Sequence, residues 1–270
     1  MKKKGILLAA VILLGTAGLA QAFDGLPHGV VDVTYQSRYL WRGFRVYGDK
    51  SAIQASVDVD LYGTGFGVGA MAHRANSSEF ENAERWDYTL YYQNVLCDGE
   101  PYATNYRLGW LYYQFPEESE ADYDLEELQA VLSWPNICPA GVVPSYALVK
   151  LWPYSSGSMV GSRSPMGGTA SGWLHVLMLD YGLPLVGLLP DVPEQILNLH
   201  AELVFNDGFG PAGQDVDQDW SHVVFGVSTD IDLGHNFTLT PAVYHQIRME
   251  SSLGGDHSDL WATLSAKYKF

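Results

Sequence analysis

Residues 52–62 read Ala52-Ile53-Gln54-Ala55-Ser56-Val57-Asp58-Val59-Asp60-Leu61-Tyr62. Ile53, Ala55, Val57, Val59 and Leu61 fall on one face, and Gln54, Ser56, Asp58, Asp60 and Tyr62 on the other. Period two belongs to an extended strand with one face in an apolar medium and the other in water. The pattern returns near the C-terminal half, where Leu197, Leu199, Ala201, Leu203 and Phe205 alternate with Asn198, His200, Glu202, Val204 and Asn206. Segments 221–231 and 237–248 repeat it. In 86–96 and 106–114 aromatics occupy both parities, so pattern alone does not assign an inward face there.

Such segments predict about twelve strands, near 30–42, 52–62, 65–74, 85–96, 103–115, 124–134, 144–152, 172–181, 195–206, 221–231, 236–248 and 259–270. Connections after odd strands are mostly long and acidic (75–84, 116–123, 207–220) or Gly/Ser-rich (153–171). Those after even strands are mostly short, with 182–194 the exception. That asymmetry and an even strand number are the signature of bacterial outer-membrane barrels. No stretch after residue 22 reaches the ~18 consecutive apolar residues of a membrane helix. The expected fold class is all-β: a closed antiparallel transmembrane β-barrel, favoured over a secreted β-sandwich.

Lys2, Lys3 and Lys4, an apolar run over 6–20 and Ala20-Gln21-Ala22 form a basic, apolar and small-residue sequence in the order of a cleaved export signal. The expected organisation is a signal peptide over 1–22 and one barrel over 23–270, in the outer membrane of a Gram-negative-type bacterium. Ala262, Leu264, Ala266, Tyr268 and Phe270 alternate with Thr263, Ser265, Lys267 and Lys269. A final strand of this form, ending at Phe270, is expected to be read by the barrel assembly machinery. With 15 basic and 31 acidic residues, a net charge of -16 argues against nucleic acid as a partner. The expected partners are outer-membrane lipid, lipopolysaccharide and small solutes, and no cofactor or metal is expected. Cys97 and Cys138 enter an oxidising compartment and fall in short turns on the rim that carries both chain ends. They predict one disulfide between neighbouring turns, worth roughly 2–4 kcal/mol by loop closure.

Parity places Val31, Val33 and Tyr35 toward lipid and Asp32, Thr34, Gln36, Arg38 and Arg42 in the lumen, beside Gln54, Asp58 and Asp60. His200 and Glu202 line it from a later strand. Arg38 is expected to form a wall ion pair, Arg42 a constriction near the outer rim, and Trp41 an aromatic girdle residue facing lipid. Twelve strands leave a narrow lumen, suited to passive diffusion of small polar solutes, and the acidic loops favour cationic or neutral ones. A barrel lipid hydrolase needs a Ser within reach of a His base. The only close pairs, Ser221-His222 and His257-Ser258, are sequence neighbours that a regular strand sends to opposite faces. No catalytic residue is therefore expected. His200, Glu202 and His222 read as lumen lining before they read as metal ligands. Asp215-x-Asp217-x-Asp219 lacks the glycine and closing glutamate of a calcium loop. A structural or adhesive barrel has only the long loops in its favour.

The run Ser37-Arg38-Tyr39-Leu40-Trp41-Arg42-Gly43, then Ala52-Ile53-Gln54, Gly65-Phe66-Gly67-Val68-Gly69 and an acidic aromatic strand over 84–92, is similar to the TorF family of porins. Members of that family carry a Ser-x-Tyr-x-Trp-Arg-Gly strand, a Pro-Ala-x-Gln entry to the second strand and a Gly-Phe-Tyr start to the third. Ser51 stands where the family usually has Pro, Ala55 where it favours Gly, and no Trp occurs at 71–73. The resemblance covers about residues 31–92 and implies an outer-membrane porin.

Overall fold

The structure, a computed structural model, describes residues 27–118, 123–155, 170–187, 194–213, 216, 218–250 and 258–270. The leader 1–22, most of the Gly/Ser-rich loop, Asp215, Asp217 and His257 lie outside the described residues.

Extended segments follow one another as β1 (His28–Gln36), β2 (Leu40–Trp41), β3 (Phe44–Arg45), β4 (Ala52–Asp60), β5 (Phe66–Ala75), β6 (Arg85–Leu96), β7 (Thr104–Gln114) and β8 (Leu125–Ser133). They continue as β9 (Val142–Pro153), β10 (Ser171–Val186), β11 (Glu194–Gly210), β12 (Asp219–Thr229), β13 (Ile231–Gly234), β14 (Phe237–Arg248) and β15 (Asp259–Lys269). All but β2 and β3 form one antiparallel wall, in which β13 continues β12 along β14 past Asp230, and the wall closes where β1 meets β15 and β12 meets β14. The twelve-strand barrel is thus as the alternation requires. Closure matters physically because an open edge would leave backbone donors unpaired in hydrocarbon.

Alternation orients the side chains. Val31, Val33, Tyr35, Ile53 and Val57 are exposed on the outer wall, whereas Gln54, on the other parity, is buried inside. The core occupies the lumen near the rim of the longer loops. There Leu125, Val149, Leu151, Leu174 and Val204 point inward and are almost fully buried. A barrel lumen is normally polar, so this apolar patch needs a cover.

Three expected boundaries shift. The first strand stops at Gln36 instead of running to residue 42. The expected turn over 182–194 shrinks, because β10 and β11 pair as far as Val186 and Glu194. Pro184 is accepted in that extension because β9 pairs with β10 no farther than Tyr181, leaving the side of Pro184 without a neighbouring strand. The expected 207–220 loop loses residues to the far end of β11, which pairs to Gly210.

The expected disulfide is not formed: Cys97 and Cys138 are free thiols. Their turns share a rim but belong to the hairpins β6–β7 and β8–β9, whose centres lie two strand spacings apart. Two spacings are about 10 Å, beyond the roughly 4.4–6.8 Å between Cα atoms that a disulfide allows. Both thiols of the denatured protein should therefore react with a maleimide without prior reduction; a thiol count of zero would contradict this.

Candidate functional site: a hairpin folded into the lumen

At the end of β1 the chain leaves the wall. Ser37 still bonds Ala262 on β15 through N–H to O (2.9 Å) and through Oγ accepting from Ala262 N–H (2.9 Å). Residues 38–50 then turn inward. Leu40 pairs with Arg45 and Trp41 with Phe44, around a two-residue turn at Arg42 and Gly43. Both turn residues have positive φ, 53° and 89°, the geometry of the tight hairpin turns whose twist matches that of the strands. Gly43 adopts it freely. Arg42 does so against a steric cost of about 1–2 kcal/mol, which its tertiary contacts must offset.

Twelve tilted strands set a barrel of about 24 Å between opposite backbones, more than one side chain spans. The hairpin covers that distance. Its tip places Arg42 Nη2 2.8 Å from Glu127 Oε1 on β8, near the opposite side from β1. Glu127 is fully buried and also accepts from Gln129 Nε2. Burial opposes the charge on Arg42, but Glu127, with a contribution from Glu202, outweighs it and holds the guanidinium firmly protonated. On β14, Gln246 Nε2 donates to Gly43 O at 3.0 Å.

The root of the hairpin is held by charge. Buried Asp259, the first residue of β15, receives Arg38 Nη1 (2.9 Å), Arg45 Nη2 (2.7 Å) and Arg248 Nη2 (2.5 Å). One flank is held by a chain of polar groups across β1, β4, β5 and β6. Gln36 donates to Gln54, Gln54 Nε2 lies 2.7 Å from His73 Nδ1, and His73 Nε2 lies 2.8 Å from Asp87 Oδ2. Arg85 forks onto Asp87 at 2.7 and 2.8 Å and donates its Nη2 to Tyr39 OH at 2.8 Å. Burial pushes the Tyr39 phenol up to about 12, with Arg85 pulling the other way, so it stays neutral. The apolar flank is Trp41 and Phe44, packed over the inward patch of β8–β11. Trp41 meets Tyr113 edge-on at 5.2 Å and Phe209 at 5.9 Å, with the Arg85 guanidinium 4.4 Å from its ring centre.

Several expected placements change. Trp41 is a lumen residue and not a girdle residue, because the chain has already left the wall when it reaches position 41. Arg38 pairs with Asp259 on the neighbouring strand and with Asp49 (3.0 Å), and not with Asp58 or Asp60. Asp58 accepts from Tyr91 OH at 2.7 Å and from Arg107 at 3.4 Å, and Asp60 Oδ1 accepts Gly63 N–H in the turn after β4. His200 Nδ1 lies 2.7 Å from Asp180, and Glu202 lies 3.9 Å from His200 and 3.7 Å from His222.

Two bulges reverse the parity on which the sequence reading relied. Between Trp173 and Leu174 the β10–β11 register shifts, and Asn206 brackets Phe209 by accepting its N–H (2.6 Å) and donating to its carbonyl (3.1 Å). Phe209, odd-numbered like the lipid-facing Phe205, is thereby buried against Trp41. A second shift leaves Ser221 as an extra residue between Trp220 and His222. Ser221 Oγ then lies 2.9 Å from His222 Nδ1, so these neighbours do share a face. Ser221 is completely buried, however. A hydrolase nucleophile has to reach its substrate.

Glu127, Asp259, Arg85, Asp87, Phe209 and Arg248 were not singled out in sequence. Each is an ordinary polar or aromatic residue near a strand end; Arg85 and Asp87 pair two residues apart and Arg248 and Asp259 eleven apart, but the hairpin residues that these groups hold lie far away in the chain. The one available signal was the glycines within strand-like sequence around Phe209, which mark bulges.

Below the hairpin lies a cavity of about 420 Å³, walled by Arg42, Gln129, Glu202, His222, Tyr244 and Trp261 among others. A second, of about 470 Å³, opens beside Asp60, Gln93, Asn105 and Arg107 at the rim of the chain ends. Among the described residues no group of three or more His, Cys, Asp or Glu side chains is arranged to hold a metal ion.

A closed twelve-strand barrel with an apolar outer wall and a polar, partly obstructed lumen belongs to the class of outer-membrane barrels. No family model matches the sequence, and no curated protein does. Among solved structures the fold is similar to that of the NanC porin, with a TM-score of 0.56 at 11% identity over 89% of this chain and 100% of that one. It is also similar to the KdgM porin, solved in complex with disordered oligogalacturonate, with a TM-score of 0.51 at 9% identity over 89% and 99%. An outer-membrane channel from Pseudomonas putida F1 matches with a TM-score of 0.50 at 10% identity over 92% and 98%. At these identities the likeness is one of fold.

Proposed function

We propose that the protein is a porin-like outer-membrane channel for passive diffusion of small polar solutes, its aperture set by the hairpin over residues 38–50. The observation that carries this is the hairpin itself, which crosses a closed barrel and leaves cavities on the path between the two rims. The fold shared with two porins and an outer-membrane channel supports the reading, as does the resemblance of residues 31–92 to the TorF family. In this reading the leader 1–22 is removed, the barrel is inserted through its last strand ending at Phe270, and its outer rim meets lipopolysaccharide. It is a channel and not an enzyme.

The test is single-channel conductance of the refolded barrel in a planar bilayer, beside Arg42→Ala. That change frees Glu127 at the tip and should shift conductance by roughly twofold or more and move ion selectivity toward cations. A folded barrel without conductance steps would sink the proposal.

A further inference from the structure

The cavity under the hairpin tip is within the size range of small-molecule sites, ~300–1,000 Å³, and its chemistry is selective. Tyr244 and Trp261 face each other across β14 and β15 with ring centres 5.3 Å apart and planes within 19° of parallel. Tyr244 lies flat against the wall because the residue opposite it on β12 is Gly226; a Cβ there would come within 2.6 Å of the ring. The two rings therefore line the cavity as neighbouring flat surfaces. Around them stand neutral amides, Gln54, Gln129 and Gln246.

The charges that border the cavity are already matched. Arg42 is paired with Glu127, Arg85 with Asp87, and Glu202 lies between His200 and His222. A charged solute would meet groups whose net charge is already neutralised by a partner, and it gains a full counter-charge only by displacing that partner, even though single atoms such as Arg42 Nε and Glu127 Oε2 have no hydrogen-bond partner among the described residues. A buried charge left without its partner is strongly destabilising. What remains unmet is polar but suited to hydroxyls: Arg42 Nε has no hydrogen-bond partner among the described residues. The C–H face of a pyranose carries partial positive charge that suits the negative face of an aromatic ring, while its hydroxyls both donate to and accept from amides.

The geometry points to a saccharide site in the lumen: a neutral mono- or disaccharide lies against Tyr244 and Trp261 beneath the Arg42 tip. This deepens the channel reading and rests on it, since the lumen must admit the solute.

The experiment measures binding of maltose, glucuronate and putrescine to the refolded barrel by calorimetry in an amphiphile that carries no sugar, with bilayer conductance recorded on the same preparation. Maltose should bind in the millimolar range and interrupt the current. Trp261→Ala should weaken binding at least tenfold, Trp261→Phe should largely preserve it, and Trp110→Ala on the outer wall should leave it unchanged. Tighter binding of glucuronate or putrescine than of maltose overturns the inference, as does maltose binding that Trp261→Ala leaves intact. Conductance without maltose binding removes the site and keeps the channel; maltose binding without conductance keeps the site and removes the channel.

Discussion

Asp259→Ala should free the hairpin from its root and turn a steady, restricted channel into a larger and fluctuating one. Asp259 is fully buried and is the shared carboxylate of Arg38, Arg45 and Arg248, at 2.9, 2.7 and 2.5 Å. Arg248 is almost completely buried as well, so the substitution strands a cation inside the lumen wall. Breaking a buried pair by removing one partner costs about 3–5 kcal/mol. The barrel ladder does not depend on this pair, so the cost is met by hairpin undocking, which lets water reach the arginines. Limited trypsin treatment reads the change directly. Arg38, Arg42 and Arg45 should resist cleavage in the wild type and become cut sites in Asp259→Ala, with Asp259→Asn between the two. Equal trypsin resistance and unchanged conductance in Asp259→Ala would refute the docking role of this carboxylate.

Trp41→Ala should act from the apolar flank and give nearly as large an effect. The ring packs on Tyr113 and Phe209, covers the inward patch around Val149, Leu151 and Leu174, and lies beneath the Arg85 guanidinium. Truncating a large aromatic in such a setting costs about 3–5 kcal/mol. Again the wall should survive, seen as unchanged heat-dependent migration on gels, while conductance rises and becomes noisy. Trp41→Phe should retain most of the packing. Because both substitutions act on one hairpin, the double variant should fall short of the sum of their effects on conductance, the mark of coupled sites. Additive effects would mean that root and flank are independent.

Much of the wall was legible beforehand. Ile53 to Val59 alternate without a break and Leu197 to Phe205 with one, at inward Val204, and there the lipid face came out as read. Strand ends were legible only where a turn residue or a pattern change marked them. Gln36 shows the limit, since the alternation continues to residue 42 while the chain does not stay in the wall. Gln54, Asp58, His200 and Glu202 were placed by parity alone, whereas Arg42 was placed by parity on a strand that had already ended.

The sequence by itself determined that the chain forms a closed barrel of about twelve strands and, in the strands where alternation is clean, which residues meet lipid. Both follow from period-two alternation, which neighbouring residues carry between them and which the two solvents of a membrane enforce. Only the tertiary structure decided that residues 38–50 fold inward, that Arg42 meets Glu127, that Phe209 turns to cover Trp41, and that Cys97 and Cys138 stay apart. These depend on which groups stand across the lumen, on bulges that shift parity by one residue, and on spacing around the closed wall. No local stretch of the chain encodes such distances.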